Sequence, residues 1–214
     1  MVIAIDGPAG AGKSSVAKGV ADALGFTYLD SGAMYRCVAL AAIERGIDPD
    51  DPEATGALAA SLDIAFDRGR VLLDGGDVSA AIRNPETTEA ASRVAPHPRV
   101  REALIAEQRR LIGDGRYVAE GRDIGTVVSP DSPLKVFLTA TPEERARRRA
   151  EETGEAPEAV LAAQRARDER DESEKRGDSA LRVADDAVEI DTTGLALEDA
   201  VARVVALAHE RGLG

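Results

Sequence analysis

The hydrophobic positions at the start of the chain follow two different periods, and each period predicts a different element. Residues 1–5 form a short apolar run that an Asp-Gly-Pro sequence ends, which is typical of a buried strand followed by a turn. Apolar residues then recur every four positions up to Gly25, a suitable C-cap, so a helix is predicted over Lys13–Leu24. A second strand is predicted over residues 26–29, and a second helix over residues 31–46.

The same two periods predict the rest of the chain. Three short β runs separated by Asp- and Gly-rich turns indicate a small antiparallel meander within residues 64–78. Beyond it we expect helices over residues 85–94 and 98–112, strands over residues 117–120, 134–139 and 187–190, and an arginine-rich helix that a capping box starts at residues 141–144. Strands that alternate with helices favour an α/β fold with a parallel sheet covered on both faces.

The composition agrees with this fold and limits the partners. With 214 residues, 43% of them hydrophobic and 31% charged, the chain is expected to form one globular domain. Its net charge of -12 repels nucleic acid and anionic lipid, so neither is a predicted partner. Cys37 is the only cysteine, which excludes an internal disulfide. Because neither a signal peptide nor an apolar run of membrane-spanning length is present, we expect a cytoplasmic protein.

A glycine-rich phosphate-binding motif lies between the first predicted strand and the first predicted helix. The pattern G-x-x-x-x-G-K-[ST] is matched in this context, which is where a P-loop belongs. In a P-loop, the lysine, here Lys13, reaches the phosphates and the hydroxyl of Ser14 ligates Mg²⁺. The alternative is a glycine-rich turn without a ligand. The residues predicted to hold ATP are Gly7, Pro8, Ala9, Gly10, Ala11, Gly12, Lys13, Ser14 and Ser15.

A P-loop alone does not identify a reaction, because switches, motors and kinases share it. A guanine-specific switch would need an Asn-Lys-x-Asp motif. The only asparagine, Asn84, is followed by Pro85, which disfavours that class.

Polar residues follow two predicted strands where ligands bind in open α/β sheets. Asp30, Ser31 and Arg36 follow the second strand, and the charged sequence at residues 120–123 ends a later one. We expect both groups to contact a ligand. The alternative for the first group is that Ser31 only caps a helix and Arg36 points into solvent.

The order of these motifs resembles that in a known family. The segments are GPAGAGKSS at 7–15, DSGAMYR at 30–36, DVSAAIR at 77–83, ASRVAPHPRVREAL at 91–104, EGRDIGTVV at 120–128 and RDERD at 167–171. Together they resemble the bacterial cytidylate kinases over nearly the whole chain. The resemblance implies a P-loop kinase fold of three α/β/α layers around five parallel strands, with a monophosphate-binding insert at about residues 48–96 and a lid at about residues 145–176.

The activity that the resemblance implies is Mg²⁺-dependent transfer of the ATP γ-phosphate to CMP and dCMP. The alternatives are another acceptor such as UMP, or a P-loop protein that binds nucleotide without catalysis. The family also implies a monomer.

Carried over by position, the resemblance implies a set of acceptor ligands. Ser31 and Arg36 would contact the acceptor nucleotide, and Arg122 would lie near its phosphate. Ser92, Arg101 and Asp123 would surround cytosine. Arg167 and Asp171 would face the ribose or the transferring phosphates. Asp30 and Tyr35 complete the predicted substrate site. A carboxylate such as that of Asp123 is the natural acceptor for the cytosine amino group. The alternative for Ser92 is a buried helix serine that bonds its own backbone.

Besides Lys13, four arginines are expected to assist catalysis: Arg122, Arg149, Arg167 and Arg176. Arg176 is inferred by counting, because the family pattern of two arginines seven residues apart is broken here. Glu174 stands seven residues after Arg167, and counting back from Leu181 places Arg176 in the expected position with two extra residues before it. The alternatives are that Arg170 takes over or that the contact is absent.

Overall fold

A computed structural model describes residues 1–67, 69–172 and 181–214, except for the side chains of residues 152, 153, 167, 170 and 172. The elements in chain order are β1 (Val2–Asp6), α1 (Lys13–Leu24), β2 (Thr27–Asp30), α2 (Ser31–Glu44), α3 (Pro52–Ser61), β3 (Ile64–Asp67), β4 (Arg70–Leu73), β5 (Gly76–Asp77), α4 (Pro85–Val94), α5 (Pro98–Ile112), β6 (Tyr117–Gly121), β7 (Leu134–Thr139), α6 (Pro142–Thr153), α7 (Pro157–Glu172), β8 (Val188–Asp191) and α8 (Leu197–Glu210).

A five-stranded parallel sheet with the order β2-β6-β1-β7-β8 forms the centre of the fold. Its middle strand, β1, pairs with β6 and β7 on either side, so that Asp6 lies opposite Gly121 and Phe137. Every residue of β1 is buried because helices cover both faces of the sheet. The predicted α/β fold with five parallel strands and a small antiparallel sheet is confirmed.

Contacts divide the chain into two compact units. The first contains residues 1–29 and 112–214, and its core joins the sheet to α1 and α8. These two helices approach closely at Gly19, where an added Cβ would lie only 2.6 Å from Val201.

The second unit runs from Asp30 to Leu111 and has its own core. In it, α2 packs against α4, and the antiparallel sheet β3-β4-β5 covers part of the same core. The segment at about residues 48–96 lies within this unit; its role as a monophosphate-binding insert stays a prediction.

Two predicted strands begin one residue later than expected, and the reason is the same in both. The amide of Phe26 donates to Ala21 O as part of the C-cap of α1, so β2 begins at Thr27. Likewise, the amide of Ala187 donates to Ala184 O in a turn, so β8 begins at Val188. A turn that takes up an amide prevents it from joining the sheet.

In the described ranges, no helix combines the length and the apolar character that crossing a membrane requires.

Candidate active site

The P-loop connects the C-terminal end of β1 to α1. Gly7 has φ 147° and an added Cβ would lie 2.1 Å from Leu138 O, so only glycine fits there. Gly12, with φ 85°, is the N-cap of α1 and has no side chain that could bond the amides of the first turn. The positive end of α1 is therefore presented to the loop, as an anion site requires.

The lysine of the motif is held by the loop itself. Lys13 is only 7% exposed, and its Nζ donates to Pro8 O over 2.8 Å. Ser14 and Ser15, the next two residues of the first turn, are exposed. The loop thus supplies backbone amides, a lysine ammonium and an exposed hydroxyl, which are the groups that bind a polyphosphate with its cation.

Arg145 in α6 ties this loop to α6 and α7, the two helices between β7 and β8. Its side chain is 5% exposed, and its guanidinium donates to Ala9 O over 2.9 Å and to Ala140 O over 3.2 Å. The same group forms an ion pair with Asp168 of α7, with Nη2 at 2.6 Å from Oδ2. Gln164 adds a bond to the backbone oxygen of Arg145. Both α6 and α7 are thereby anchored at the P-loop.

Sequence reasoning missed Arg145 because it lies within a run of arginines. A usable signal was present: residues 145, 146, 149 and 150 share one face of a helix, and alanines occupy two of these positions. Ala146 and Ala150 are indeed buried, and Arg149 is half-buried.

One acidic residue of α6, Glu144, offsets part of the positive charge of this run. Glu144 is bonded by both Arg147 and Arg148, and these contacts, that of Arg147 above all, lower its pKa to about 2. Arg148 also donates to Thr192 Oγ1 over 3.1 Å. The predicted capping box is half formed, since Thr141 accepts from Glu144 N while the amide of Thr141 bonds Thr193 Oγ1 instead of Glu144.

At the end of β6, Arg122 and Asp171 meet. Arg122 Nε donates to Asp171 Oδ2 over 2.9 Å, and the carboxylate is buried. The structure therefore brings together two residues that sequence reasoning assigned to the acceptor. The backbone of Asp171 also accepts a bond from Leu181 N over 2.9 Å.

A second set of buried carboxyls lies at the C-terminal ends of β6 and of its neighbour β1. Glu120 accepts a hydrogen bond from the hydroxyl of Tyr28, and Asp123 is buried two residues beyond β6. Asp6, at the end of β1, accepts bonds from the amides of Ile124 and Gly125. Burial raises the pKa of Asp6 to about 6, although both amide bonds oppose the shift.

In the second unit, Asp30 rather than Ser31 caps α2. Asp30 Oδ1 accepts from Ala33 N over 2.8 Å, and its Oδ2 accepts from Arg36 over 2.8 Å. The alternative that Ser31 is the cap and that Arg36 points freely into solvent is therefore wrong. The reason is that a carboxylate at the N-cap can bond an amide and a guanidinium at once.

The remaining predicted acceptor residues of this unit lie on α2, α4 and α5. Arg101 Nη1 donates to the hydroxyl of Tyr35 over 3.3 Å, while the neighbouring Met34 is fully buried in the core. Ser92 is buried and donates to Glu89 O over 2.8 Å, which is the backbone bond of the alternative interpretation. The cytosine role of Ser92 stays a prediction.

Three predicted arginine contacts cannot be placed. The side chains of Arg167 and Arg170 and the whole of Arg176 lie outside the described residues.

The residues present fit a nucleoside triphosphate with Mg²⁺. Gly7, Gly10 and Gly12 have positive φ and line a loop that side chains would fill. Among the described residues, no group of three or more His, Cys, Asp or Glu side chains could hold a metal ion by itself.

The parallel sheet, with a P-loop between β1 and α1, defines a P-loop nucleotide-binding fold. The family model for cytidylate kinase matches residues 3–210. A cytidylate kinase of Mycobacterium leprae (strain Br4923) is 48% identical over 99% of this chain and 96% of its own length. One from Mycolicibacterium paratuberculosis (strain ATCC BAA-968 / K-10) is 51% identical over 91% and 89%. The crystal structure of a gluconokinase from Sinorhizobium meliloti 1021 is similar in fold alone, with TM-score 0.52, 19% identity and coverage of 99% and 93%. The chain belongs to the cytidylate kinase family.

Proposed function

We propose that this protein transfers the γ-phosphate of ATP to CMP, and also to dCMP, to give ADP and CDP or dCDP. The observation that carries the proposal is the P-loop, with its glycines and Lys13, in a chain of the cytidylate kinase family. The amides of the loop and of the first turn of α1 bind the phosphates of ATP. Mg²⁺, when bound, neutralises charge on the β- and γ-phosphates, and Ser14 would hold it.

Lys13 is proposed to compensate the charge on the γ-phosphate, since its ammonium group has three N–H donors. Its Nζ is held at 2.8 Å from the carbonyl oxygen of Pro8, within the loop that receives the phosphates. An anionic phosphate oxygen adds a Coulomb attraction to this ammonium group that the neutral carbonyl of Pro8 does not provide.

The acceptor needs no general base. A phosphate monoester has a second pKa of about 6, so CMP presents a dianion at neutral pH. Arg36 in the second unit and Arg122 in the first are proposed to bind it. Each is already oriented by a carboxylate, Asp30 and Asp171 respectively, so little side-chain freedom is lost on binding.

Base recognition is proposed for Asp123 in the first unit and for Arg101 and Ser92 in the second. The Asp123 carboxylate would accept from the cytosine amino group, whereas uracil presents an oxygen acceptor at that place. The proposed preference for CMP over UMP follows from that difference. Arg149, Arg167 and Arg176 are proposed as cations for the transition state.

The decisive experiment compares Lys13→Met with Lys18→Met. Both lysines lie on α1, but Lys18 is exposed and lies over the ring of Tyr28, 5.4 Å from its centre. We expect Lys13→Met to lower kcat at least about a hundredfold, the typical cost of removing a group that stabilises transition-state charge. Lys18→Met should keep wild-type activity.

A coupled assay for ADP release with CMP, dCMP and UMP measures both variants and the wild type. Release with none of the three would contradict the kinase and favour a binding protein. Near-normal kcat in Lys13→Met would contradict the catalytic role of the P-loop lysine. Circular dichroism of each variant checks that the fold is retained.

A further inference from the structure

Asp6 occupies a position from which it controls the turn after β6. It is the last residue of the central strand, lies opposite Gly121 and Phe137 in the sheet, and is 6% exposed. Its Oδ1 accepts from Ile124 N over 2.9 Å and its Oδ2 from Gly125 N over 2.8 Å. One rigidly placed carboxylate therefore holds two successive amides.

The residue directly before those two amides is Asp123. Its own carbonyl accepts from Val127 N over 2.8 Å and from Val128 N over 3.1 Å, which forms the π-helical turn Ile124–Val128. The backbone on the C-terminal side of Asp123 is thus fixed by its own carbonyl and by Asp6. A side chain can be aimed accurately only from a backbone that does not move.

The turn also packs tightly against Asp6. A Cβ added to Gly125 would lie 3.4 Å from Asp6 Oδ2 and 3.2 Å from the aliphatic stem of Lys135. The turn therefore has little space to shift while the carboxylate keeps its place.

We propose that Asp6 is a positioning residue for substrate recognition, which holds Asp123 where it can accept from the cytosine amino group. The inference rests on the proposed function, in which Asp123 reads the base. Asp6 acts through the amides of Ile124 and Gly125, and it does so best when both of its oxygens are acceptors.

The protonation of the Asp6 carboxylate depends on its burial and on the charged groups that face it. The charge of Asp123 raises the pKa of Asp6, and that of Lys13 lowers it. The amine of Lys135 is bonded to Asp186 at 2.8 Å. Burial is the main cause that raises the pKa of Asp6, to about 6. A proton taken up near that pH occupies one acceptor oxygen, so recognition of cytosine should weaken as the pH falls through this range.

The test uses Asp6→Asn, which keeps the shape but replaces one acceptor by an NH₂ group facing an amide N–H. Asp191→Asn is the matched control: Asp191 also ends a parallel strand and accepts from a following amide, Thr193 N, over 2.8 Å, but it is exposed. Calorimetric Kd values for CMP and UMP are measured for both variants, for Asp123→Asn and for Asp6→Asn combined with Asp123→Asn. The phosphate of CMP and UMP is the same, so the ratio of the two Kd values isolates the base.

For Asp6→Asn we expect the preference for CMP over UMP to fall at least about fivefold, since one base contact contributes about 1 to 3 kcal/mol. In the double variant, Asp6→Asn should add nothing to the effect of Asp123→Asn. Wild type and the control Asp191→Asn should both lose preference for CMP between about pH 7 and pH 5, and Asp6→Asn should not show this step.

Unchanged preference in folded Asp6→Asn overturns the inference, and so does an additive double variant or no change in Asp123→Asn. If Asp6→Asn does not fold, the wild-type pH profile decides, and a flat ratio between pH 7 and pH 5 overturns it. Failure of the proposed function gives a different result: wild type would bind CMP with the expected preferences but release no ADP.

Discussion

Asp168→Ala removes the carboxylate partner of a buried cation and should loosen the helices α6 and α7. Arg145 is 5% exposed and Asp168 is 18% exposed, and the guanidinium bonds both carboxylate oxygens. The variant leaves the guanidinium with the carbonyls of Ala9 and Ala140 and no counter-charge from this partner. Breaking a buried pair on one side costs about 3 to 5 kcal/mol, and the partial exposure of Asp168 places this case near about 3 kcal/mol.

The matched control is Glu143→Ala, which removes an exposed pair between the same two helices. Glu143 and Arg165 lie 3.9 Å apart, with 69% and 63% of their side chains exposed. Water screens such a pair, and its loss should change stability by less than about 0.5 kcal/mol. The two variants differ mainly in burial.

Hydrogen exchange of peptides from α6 and α7 is the appropriate assay, because these helices can open without global unfolding. About 3 kcal/mol corresponds to exchange that is faster by roughly a hundredfold in Asp168→Ala. The apparent KM for ATP should also rise, since Arg145 bonds the P-loop at Ala9 O. Equal exchange in Asp168→Ala and Glu143→Ala would refute the reasoning.

Replacing both partners separates the two roles of the pair. Arg145→Met combined with Asp168→Leu removes both buried charges, and such exchanges are often neutral or stabilising. We expect slow exchange to return in this double variant, while the KM for ATP stays high because the bond to Ala9 O is absent. A normal KM would show that the bond has no part in ATP binding.

Three further predictions concern single residues. Arg176→Ala should lower kcat at least about tenfold with little change in Tm, while Arg170→Ala should not; the reverse would show that the alignment through the extra residues is wrong. Burial raises the pKa of Cys37 to about 12, so mass spectrometry should find iodoacetamide labelling at pH 8 only after unfolding, and rapid labelling of folded protein would contradict this. The pKa of Glu144 is lowered to about 2, chiefly by Arg147. The contribution of the Glu144 carboxylate to folding stability is therefore fully present above about pH 4.5 and is lost as the pH falls towards 2. The stability difference between wild type and Glu144→Gln, measured in urea, should therefore shrink over that range, and a constant difference would disprove the coupling.

The helices α4 and α5 were predicted most accurately. α4, α5 and α6 each begin with a proline, a residue that fits the first helical turn, and the first two were predicted with their observed ends. The strand errors arose at hydrogen bonds in turns, which apolar runs do not reveal. α7 also begins with a proline, but of its described residues only Val160 and Leu161 belong to the apolar cluster that it shares with α6, so a hydrophobic period gave no separate signal.

In the candidate site, too, residues with local contacts were predicted from the sequence, and residues with distant partners were missed. The P-loop was found because its residues are contiguous and each has a defined role. Asp6 and Arg145 were missed because their partners are distant in sequence: Ile124 lies 118 residues from Asp6, and Ala9 lies 136 residues from Arg145. A single sequence contains no record of such pairs.

The net charge of -12 is compatible with binding of two anionic nucleotides, because overall charge and direct contacts act at different distances. Overall charge is screened beyond about 8 Å at physiological ionic strength, whereas a bound phosphate contacts its partners directly. In each unit, arginines are held by a carboxylate: Arg36 by Asp30 in the second unit, and Arg122 by Asp171 and Arg145 by Asp168 in the first. These pairs weaken the local positive field, but they fix the guanidinium groups before any ligand arrives. For a reaction with little covalent chemistry for the protein to do, orientation of charge contributes more than its amount. The acidic partners of these arginines therefore belong to the proposed site as much as the arginines do.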